Sequence, residues 1–452
     1  MKRLYLFICS LVVIFTTEAQ SPTEFTQNIN GVAITYKIID QVNRHVEVSA
    51  QSGGIFNPPQ LTFPEAVYKL GETQPYTITK IAGGIFNGTL GHGWSSSSGT
   101  VTITFPSSLE EIGWMTFAHA YDVDIVDLSK CTKLKKLEGL NFHRGKITKL
   151  YLPEGLEVIK GATFDDNKLV SIDIPSTVKE IGSRAFGQNP TLKIVNLRKV
   201  PIVPTTGFGA MGGGSPLMDA DPSLKIYVNT DLTGLYATAA DWSDEAGKYI
   251  EAIDMNATGF ASLYLENENF LIPAGCTAYI ITGITSSGPS QAVVKAFTAG
   301  KIIPKQTGFI LQGTPNTTIE YRAAVTGTEE NVTGNMLVGT ATTQELSSVG
   351  HKYYVFANGD EGIGFYKQGT RNGASIKLAA HRAGLRLPEA LAPAKGFVVD
   401  FDAAREEAET TDIRNIRPTS QQHGDIIYDL QGRRVKNPTH GIYIINSRKV
   451  IK

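Results

Sequence analysis

A chain of 452 residues with 41% hydrophobic and 19% charged residues, 45 glycines and 21 prolines has the composition of an ordered, turn-rich protein of two or three domains. It excludes a disordered chain and disfavours long helices. The 42 Lys and Arg against 43 Asp and Glu give a net charge of -1, so no global field draws the protein to nucleic acid or anionic lipid.

The first 19 residues carry the three parts of a secretory signal: Lys2 and Arg3, an apolar run from Leu4 to Phe15, and Thr17-Glu18-Ala19 ahead of Gln20. Cleavage is expected after Ala19. That run of about 12 residues is well below the roughly 20 that span a bilayer, and no later stretch is longer, so no transmembrane segment is expected. Cys9 follows Leu6-Phe7-Ile8, loosely as in a lipoprotein signal, but cutting there would leave almost no apolar region. Cys131 and Cys276 alone lie beyond the signal, too few for a disulfide framework, and each is expected as a buried apolar residue.

From Val101 the chain repeats itself. VTITFPSSLEEIGWMTF (101–117), TKLYLPEGLEVIKGATF (148–164) and SIDIPSTVKEIGSRAF (171–186) each end a strand-like alternation at an apolar-Pro pair. Isoleucine follows each proline by six residues (Ile112, Ile159, Ile181) and phenylalanine follows that by five (Phe117, Phe164, Phe186). Pro153 and Pro175 are 22 residues apart, Pro106 and Pro153 are 47 apart, and a divergent copy, VDLSKCTKLKKLEGLNF (126–142), fills that gap with Ser129 in place of proline. The step from Ile to Phe recurs upstream from Ile81 to Phe86 and weakly downstream from Val203 to Phe208, for roughly six units. A period of 22 to 24 with one short strand per unit predicts a leucine-rich-repeat solenoid of parallel strands, since each unit buries its apolar face only against its neighbours. Phe117, Phe142, Phe164 and Phe186 are expected to form a buried ladder, flanked by Ile112, Leu137, Ile159 and Ile181. Proline ends each strand where no amide donor is wanted.

The segment IPSTVKEIGSRAF (174–186) resembles the unit of the BspA-like leucine-rich-repeat proteins of bacterial surfaces, which reads IP..V..IG..AF. GVAITYKIID (31–40) and YTITKIAGGIF (76–86) are similar to that family's opening segment, and SLKIYVNTDLTGLYATAADW (223–242) to its closing cap. The resemblance covers roughly residues 31–255. It implies a surface-exposed protein of Bacteroidetes type that binds a protein or glycan partner, adhesin-like and without an active site.

Beyond Ile253 the 22-residue spacing stops. AYIITGI (278–284), GFILQG (308–313), KYYVFAN (352–358), IGFYKQ (363–368) and GFVVDF (396–401) are short runs separated by Gly, Asn and Thr, which predicts an antiparallel β-sandwich-like domain. This stretch resembles an accessory β-module of secreted Bacteroidetes proteins. Residues 403–424 carry few apolar side chains and are expected as a linker. IIYDLQGRRV (426–435) and GIYIINSRKVIK (441–452) predict a β-hairpin that resembles a C-terminal sorting signal. The expected divisions are thus a signal peptide (1–19), a repeat domain (20–255), a β-sandwich-like module (256–402), a linker (403–424) and a sorting-like tail (425–452).

The chain carries little sign of catalytic chemistry. Histidines 45, 92, 119, 143, 351, 381, 423 and 440 are scattered without HExxH or Cys/His ligand spacing. The glycines of GFGAMGGGS (207–215) lack the Lys-Ser/Thr ending of a phosphate loop. Glu110-Glu111 and Asp165-Asp166 fall at repeat turns, where solvated charges are expected rather than a glycosidase pair. No catalytic residue, metal or cofactor is expected. What remains is a surface: alternation points Thr102, Thr104, Asp127, Lys149, Tyr151, Ser171, Asp173, Asn196 and Tyr227 outward from the strands, as the binding face of the solenoid. Tyr151 and Tyr227 are the expected anchors. Two alternatives compete with this reading. One is a carbohydrate-binding accessory protein with an aromatic platform from Tyr353, Tyr354 and Tyr366; the other is a structural component of the cell envelope.

Overall fold

The computed structural model describes residues 23–29, 31–52, 60–88, 101–207, 213–285, 292–393, 396–415, 427–428, 434–435, 442–445 and 448–451. The signal-like segment 1–19, Phe208, Gly209, Gly212, His92, His423, His440 and the positions Gln431-Gly432 and Asn446-Ser447, where the sequence predicts the turns of the tail, lie outside these residues. The chain forms two compact units that divide between Asp400 and Phe401.

In the repeats, the segment ahead of each proline position forms a short strand because its side chains alternate between apolar and polar. Gln60–Thr62, Val101–Thr104, Val123–Asp127 and Lys149–Tyr151 pair in parallel. Their inward row, Leu61, Ile103, Val126 and Leu150, is buried. A second sheet continues with Ser171–Asp173, Ile194–Asn196 and Lys225–Tyr227, again parallel, over an inward row of Ile172, Val195 and Ile226.

Each unit makes a second strand that its spacing did not announce. The isoleucine six residues after proline sits in a two-residue strand, and Lys136–Leu137, Val158–Ile159 and Glu180–Ile181 pair in parallel. Glu111–Ile112 pairs likewise with Thr77–Ile81, which in turn follows the antiparallel opening strands Glu24–Ile29, Val32–Asp40 and His45–Gln51. The glycine after the isoleucine has a steric reason: a Cβ on Gly182 would lie 2.4 Å from the Gly161 backbone nitrogen, so adjacent turns touch backbone to backbone.

Between the two strand ladders stand the phenylalanines. Phe86, Phe117, Phe142, Phe164 and Phe186 stack with centroids 5.1, 5.2, 5.2 and 5.6 Å apart and ring planes within 4–6° of parallel, all essentially fully buried. Burying one such ring stabilises by roughly 1.5–3 kcal/mol and each aromatic pair by about 0.5–1.5 kcal/mol more. The ladder therefore outweighs any single surface contact in fixing the repeat spacing.

Proline's turn has a polar substitute. After Pro106, Pro153 and Pro175 the proline carbonyl accepts the amide three residues on. Where proline is missing, an acidic or amide side chain bends the chain: Asp127 Oδ1 accepts from the Ser129 amide (2.9 Å) and hydroxyl (2.6 Å). Asn196 Oδ1 accepts from the Arg198 amide (3.2 Å). This explains why Ser129 can stand in the divergent copy.

The second sheet does not stop at residue 255. Lys225–Tyr227 pairs in parallel with Tyr249–Asp254, which pairs antiparallel with Thr318–Tyr321. Residues 256–400 add a four-stranded antiparallel sheet in the order Phe260–Tyr264, Gly308–Gln312, Thr277–Ile284, Ala292–Phe297. A five-stranded antiparallel sheet comes next, in the order Leu337–Thr340, Arg382–Pro388, His351–Gly359, Gly362–Tyr366, Phe397–Val398. Their core is separate from the continuous repeat core, which runs from Val32 to Tyr249.

The segment expected as a linker opens with a helix, Phe401–Asn415. Scarce apolar residues predict no core-facing stripe, but Ala, Glu and Arg favour the helix itself, and Arg405 pairs with Asp402 (3.0 Å) and Glu409 (3.9 Å) along it. The tail is a four-stranded antiparallel sheet rather than a hairpin, in the order Arg434–Val435, Ile427–Tyr428, Ile442–Ile445, Arg448–Ile451.

Candidate interaction surface

The outward residues of the repeat strands form rows fixed by the ladder register. Thr62, Thr104, Asp127 and Tyr151 share one row, and Gln60, Thr102, Ile125 and Lys149 share another. In the second sheet the rows are Asp173, Asn196, Tyr227 and Ile250, and Ser171, Ile194 and Lys225. Lys149, Tyr151, Ser171 and Asp173 are exposed; Thr102, Thr104, Asp127, Asn196 and Tyr227 are half-buried. All nine residues expected to point outward thus lie on one side of their strands.

They differ in how far they are already engaged. Thr104 donates its hydroxyl to Thr62 Oγ1 (3.1 Å), and Asn196 donates to Asp173 Oδ1 (2.7 Å). Asp127 and Asn196 also hold turns after their strands, so part of their role is structural. Tyr227 donates its hydroxyl to Glu320, which also accepts from Lys225 Nζ (2.8 Å). Lys225 first, then Tyr227, hold the Glu320 carboxyl below its ordinary range, and that bond raises the Lys225 ammonium. The Tyr227 phenol is pushed up by burial and then by the Glu320 bond. Tyr227 is therefore bound internally, whereas Tyr151 is 51% exposed. Of the two expected anchors, only Tyr151 presents its ring.

Apolar members of the face were missed. Ile125 is half-buried and Ile194 is 39% exposed, and both stand in register with the polar residues of their rows. Alternation alone could have found Ile194, one residue before Val195. It also reaches Ile125, two residues before the outward Asp127 and one before the buried Val126. Glu320 carried no local signal, because it meets Tyr227 93 residues away in sequence.

The turn side of the repeats corrects a second expectation. Asp165 is fully buried rather than solvated, with Arg184 Nη2 3.3 Å from each carboxylate oxygen and His143 Nδ1 3.4 Å from Oδ2. His143 is also buried, and its ring meets that of His119 edge-on at 5.8 Å. Burial, then the neighbouring His143, lowers the His119 pKa. By contrast Glu110 and Glu111 are exposed and face Lys133 (3.7 Å) and Lys80 (3.1 Å). Among the described residues, no group of three or more His, Cys, Asp or Glu is arranged to hold a metal ion, and no helix is long and apolar enough to cross a membrane. Cys131 and Cys276 are free and buried, and burial pushes the Cys131 thiol up to about 12.

The aromatic platform that the carbohydrate-binding alternative requires of Tyr353, Tyr354 and Tyr366, with one of the first two already placed inside by alternation, does not form. Tyr353 and Tyr354 are both buried, since their strand is covered on two faces. Tyr353 packs with Ile376 and Leu378 and bonds the Ser348 hydroxyl (2.7 Å); Tyr354 packs near Phe397 and donates to the Pro393 carbonyl (2.8 Å). Tyr366 is half-buried and donates to the Gly362 carbonyl (2.6 Å).

Parallel strands, a 22-residue spacing and a stacked aromatic core define a leucine-rich-repeat region. Residues 73–199 match, in six copies, the family described as BspA type Leucine rich repeat region. Among solved structures the chain is similar to a leucine-rich repeat protein from Bacteroides ovatus, with 20% identity over 44% of this chain and 54% of that one and a TM-score of 0.28. It is also similar to a leucine rich cell surface protein from Faecalibacterium prausnitzii, with 17% identity over 39% of this chain and 54% of that one and a TM-score of 0.24. The chain thus spans just over half the length of each. No curated protein matches it.

Proposed function

We propose that residues 20–255 form a leucine-rich-repeat solenoid whose outward strand face binds a macromolecular partner, a protein of host matrix or of a bacterial surface. The protein is exported by its signal-like segment and carries out no chemistry of its own. Residues 256–402 are read as a β-sandwich-like module and residues 425–452 as a sorting-like tail that directs the chain to the cell surface.

The observation that carries this reading is the group of presented side chains around Tyr151. A tyrosine ring 51% exposed, Lys149 beside it, and Ile194 39% exposed on the neighbouring sheet stand on short strands that the phenylalanine ladder locks in place. Rigid aromatic and aliphatic groups of this kind bind with little loss of side-chain freedom.

Binding of the full chain from residue 20 to immobilised fibronectin, collagen and laminin, and to whole bacterial cells, tests it. Replacing Tyr151 and Ile194 together by Ala is expected to weaken the interaction by roughly tenfold or more, as anchor residues do, with unchanged thermal unfolding. Equal binding by the parent and the double variant rules out this face.

A further inference from the structure

Away from the outward face, two cavities of about 350 and 330 Å³ share Asp254 and Arg382 in their walls. They lie where the strand Tyr249–Asp254 meets Phe260–Tyr264 and Arg382–Pro388. Each has the volume of a small-molecule site at the lower end of the usual range of roughly 300–1,000 Å³.

We propose that the first of these cavities binds a carboxylated sugar residue of a glycan, with Lys377 and Arg382 holding its carboxylate and Phe260 and Phe356 facing its ring. The charge balance favours an anion. The one carboxylate in the walls, Asp254, is already committed to Arg198 Nη2 (2.9 Å) and the Thr318 hydroxyl (2.7 Å). Arg382 spends one N–H on a neutral acceptor, the Ser262 carbonyl (3.1 Å), which leaves its charge uncompensated. Lys377 is exposed and stands opposite Glu345 in the strand ladder, but that carboxylate is taken by Arg371 Nε (3.1 Å) and Ser375. Among the described residues neither Lys377 nor Arg382 makes an ion pair within 4 Å; Ser375 and Arg371 first, and the Lys377 charge last, hold the Glu345 carboxyl below its ordinary range.

The rest of the lining suits a sugar better than an acidic peptide. Phe260 and Phe356, both half-buried and with centroids 6.2 Å apart, line the first cavity, and Phe356 packs in turn against Phe365 (5.5 Å); they supply the apolar part of the wall that the C–H face of a pyranose would meet. Ser262 and Asn358 supply a short hydroxyl and amide, which both donate and accept as sugar hydroxyls do, whereas Asn256 Oδ1 is already taken by the Thr258 amide (2.9 Å) and hydroxyl (2.6 Å). This site is independent of the outward-face reading and uses none of its residues.

Calorimetric titration of the full chain with methyl glucuronide against methyl glucoside, with sialyllactose against lactose, and with an acidic hexapeptide tests the proposal. At least one acidic sugar should bind, with its neutral counterpart roughly tenfold weaker or more, the fold-change of one lost charge-assisted hydrogen bond. Lys377→Gln and Arg382→Gln should each reduce that binding by a similar factor, while Tyr151→Ala leaves it unchanged. Lys377 is exposed, so its variant keeps the test decisive even where Arg382→Gln fails to fold. Binding of neither acidic sugar, equal binding of the neutral partners, unchanged affinity in the Lys377 variant, or tighter binding of the peptide overturns the proposal.

Discussion

Glu268 is 2% exposed, and its Oε1 accepts the Gly234 amide at 2.5 Å. Burial, and then the charge of neighbouring Glu251, pushes its carboxyl up from 4.5 to about 9. Between those values the folded protein holds a proton that the unfolded chain has released. The corresponding stability is therefore complete below about pH 4.5 and is lost as pH rises towards 9. Glu268→Gln keeps an acceptor for Gly234 and removes the charge. It is expected to be more stable than the parent at pH 8 and equal to it at pH 4, measured by urea unfolding at both; a difference of the same size at both values shows that Glu268 does not change its ionisation on folding. No local pattern marks this residue, just as none marked the burial of Asp165 or the bond between Tyr227 and Glu320. A side chain's solvation is decided by partners distant in sequence, and alternation reports only which side of a strand it leaves.

Within one repeat the turn after phenylalanine is held by buried asparagine. Asn167 Oδ1 accepts the Ile147 amide (3.1 Å), and its Nδ2 donates to the carbonyls of Phe142 (2.8 Å) and Phe164 (3.1 Å); Asn189 repeats the arrangement with Leu169, Phe164 and Phe186. Asn167→Ala leaves backbone groups of two repeats buried without partners, so a loss of about 2–3 kcal/mol is expected in guanidinium unfolding. A loss below about 0.5 kcal/mol indicates that the turn is held by other means. The phenylalanine ladder was legible because one residue type recurs at one step in every copy. The asparagines were not, since the same position is Gly145 in the preceding repeat, where a Cβ would lie 2.6 Å from Asn167 Oδ1. Nor was the left-handed backbone two residues before and two after Phe117, Phe142, Phe164 and Phe186. Met115, Leu140, Ala162 and Arg184 occupy the first set, and His119, Arg144, Asp166 and Gln188 the second, with φ between 49° and 60°. These residues share a backbone shape and no chemistry, so only the stacked neighbours that hold them reveal it. The outward strand positions were legible for the opposite reason, since period two is a property of side chains.

Across the first compact unit, the decisive feature is a sheet that carries the repeat ladder past residue 255, through Tyr249–Asp254 to Thr318–Tyr321. Glu251, fully buried on the strand Tyr249–Asp254, accepts from the Asp231 amide (2.9 Å), the Thr233 hydroxyl (2.9 Å) and the Tyr321 hydroxyl (2.6 Å). It thus ties the closing segment of the repeats to a strand some 70 residues further on. Ile250, Ala252, Ile253 and Met255 on or beside this strand are all at most 9% exposed. A chain cut after residue 255 loses the partner strand Thr318–Tyr321 and uncovers this edge and its apolar residues. We expect residues 20–400 to unfold in one transition, with the fluorescence of Trp242 in a variant carrying Trp94→Phe and Trp114→Phe, which reports the closing segment where the Trp242 Nε1 donates to the Pro204 carbonyl (2.8 Å), coinciding with far-ultraviolet dichroism. We expect residues 20–255 alone to melt at a lower temperature and to bind a hydrophobic dye before doing so. Two separate transitions in the longer chain, the first at the melting temperature of the fragment, would instead establish residue 255 as a true boundary and make the shared sheet a contact between independently stable domains.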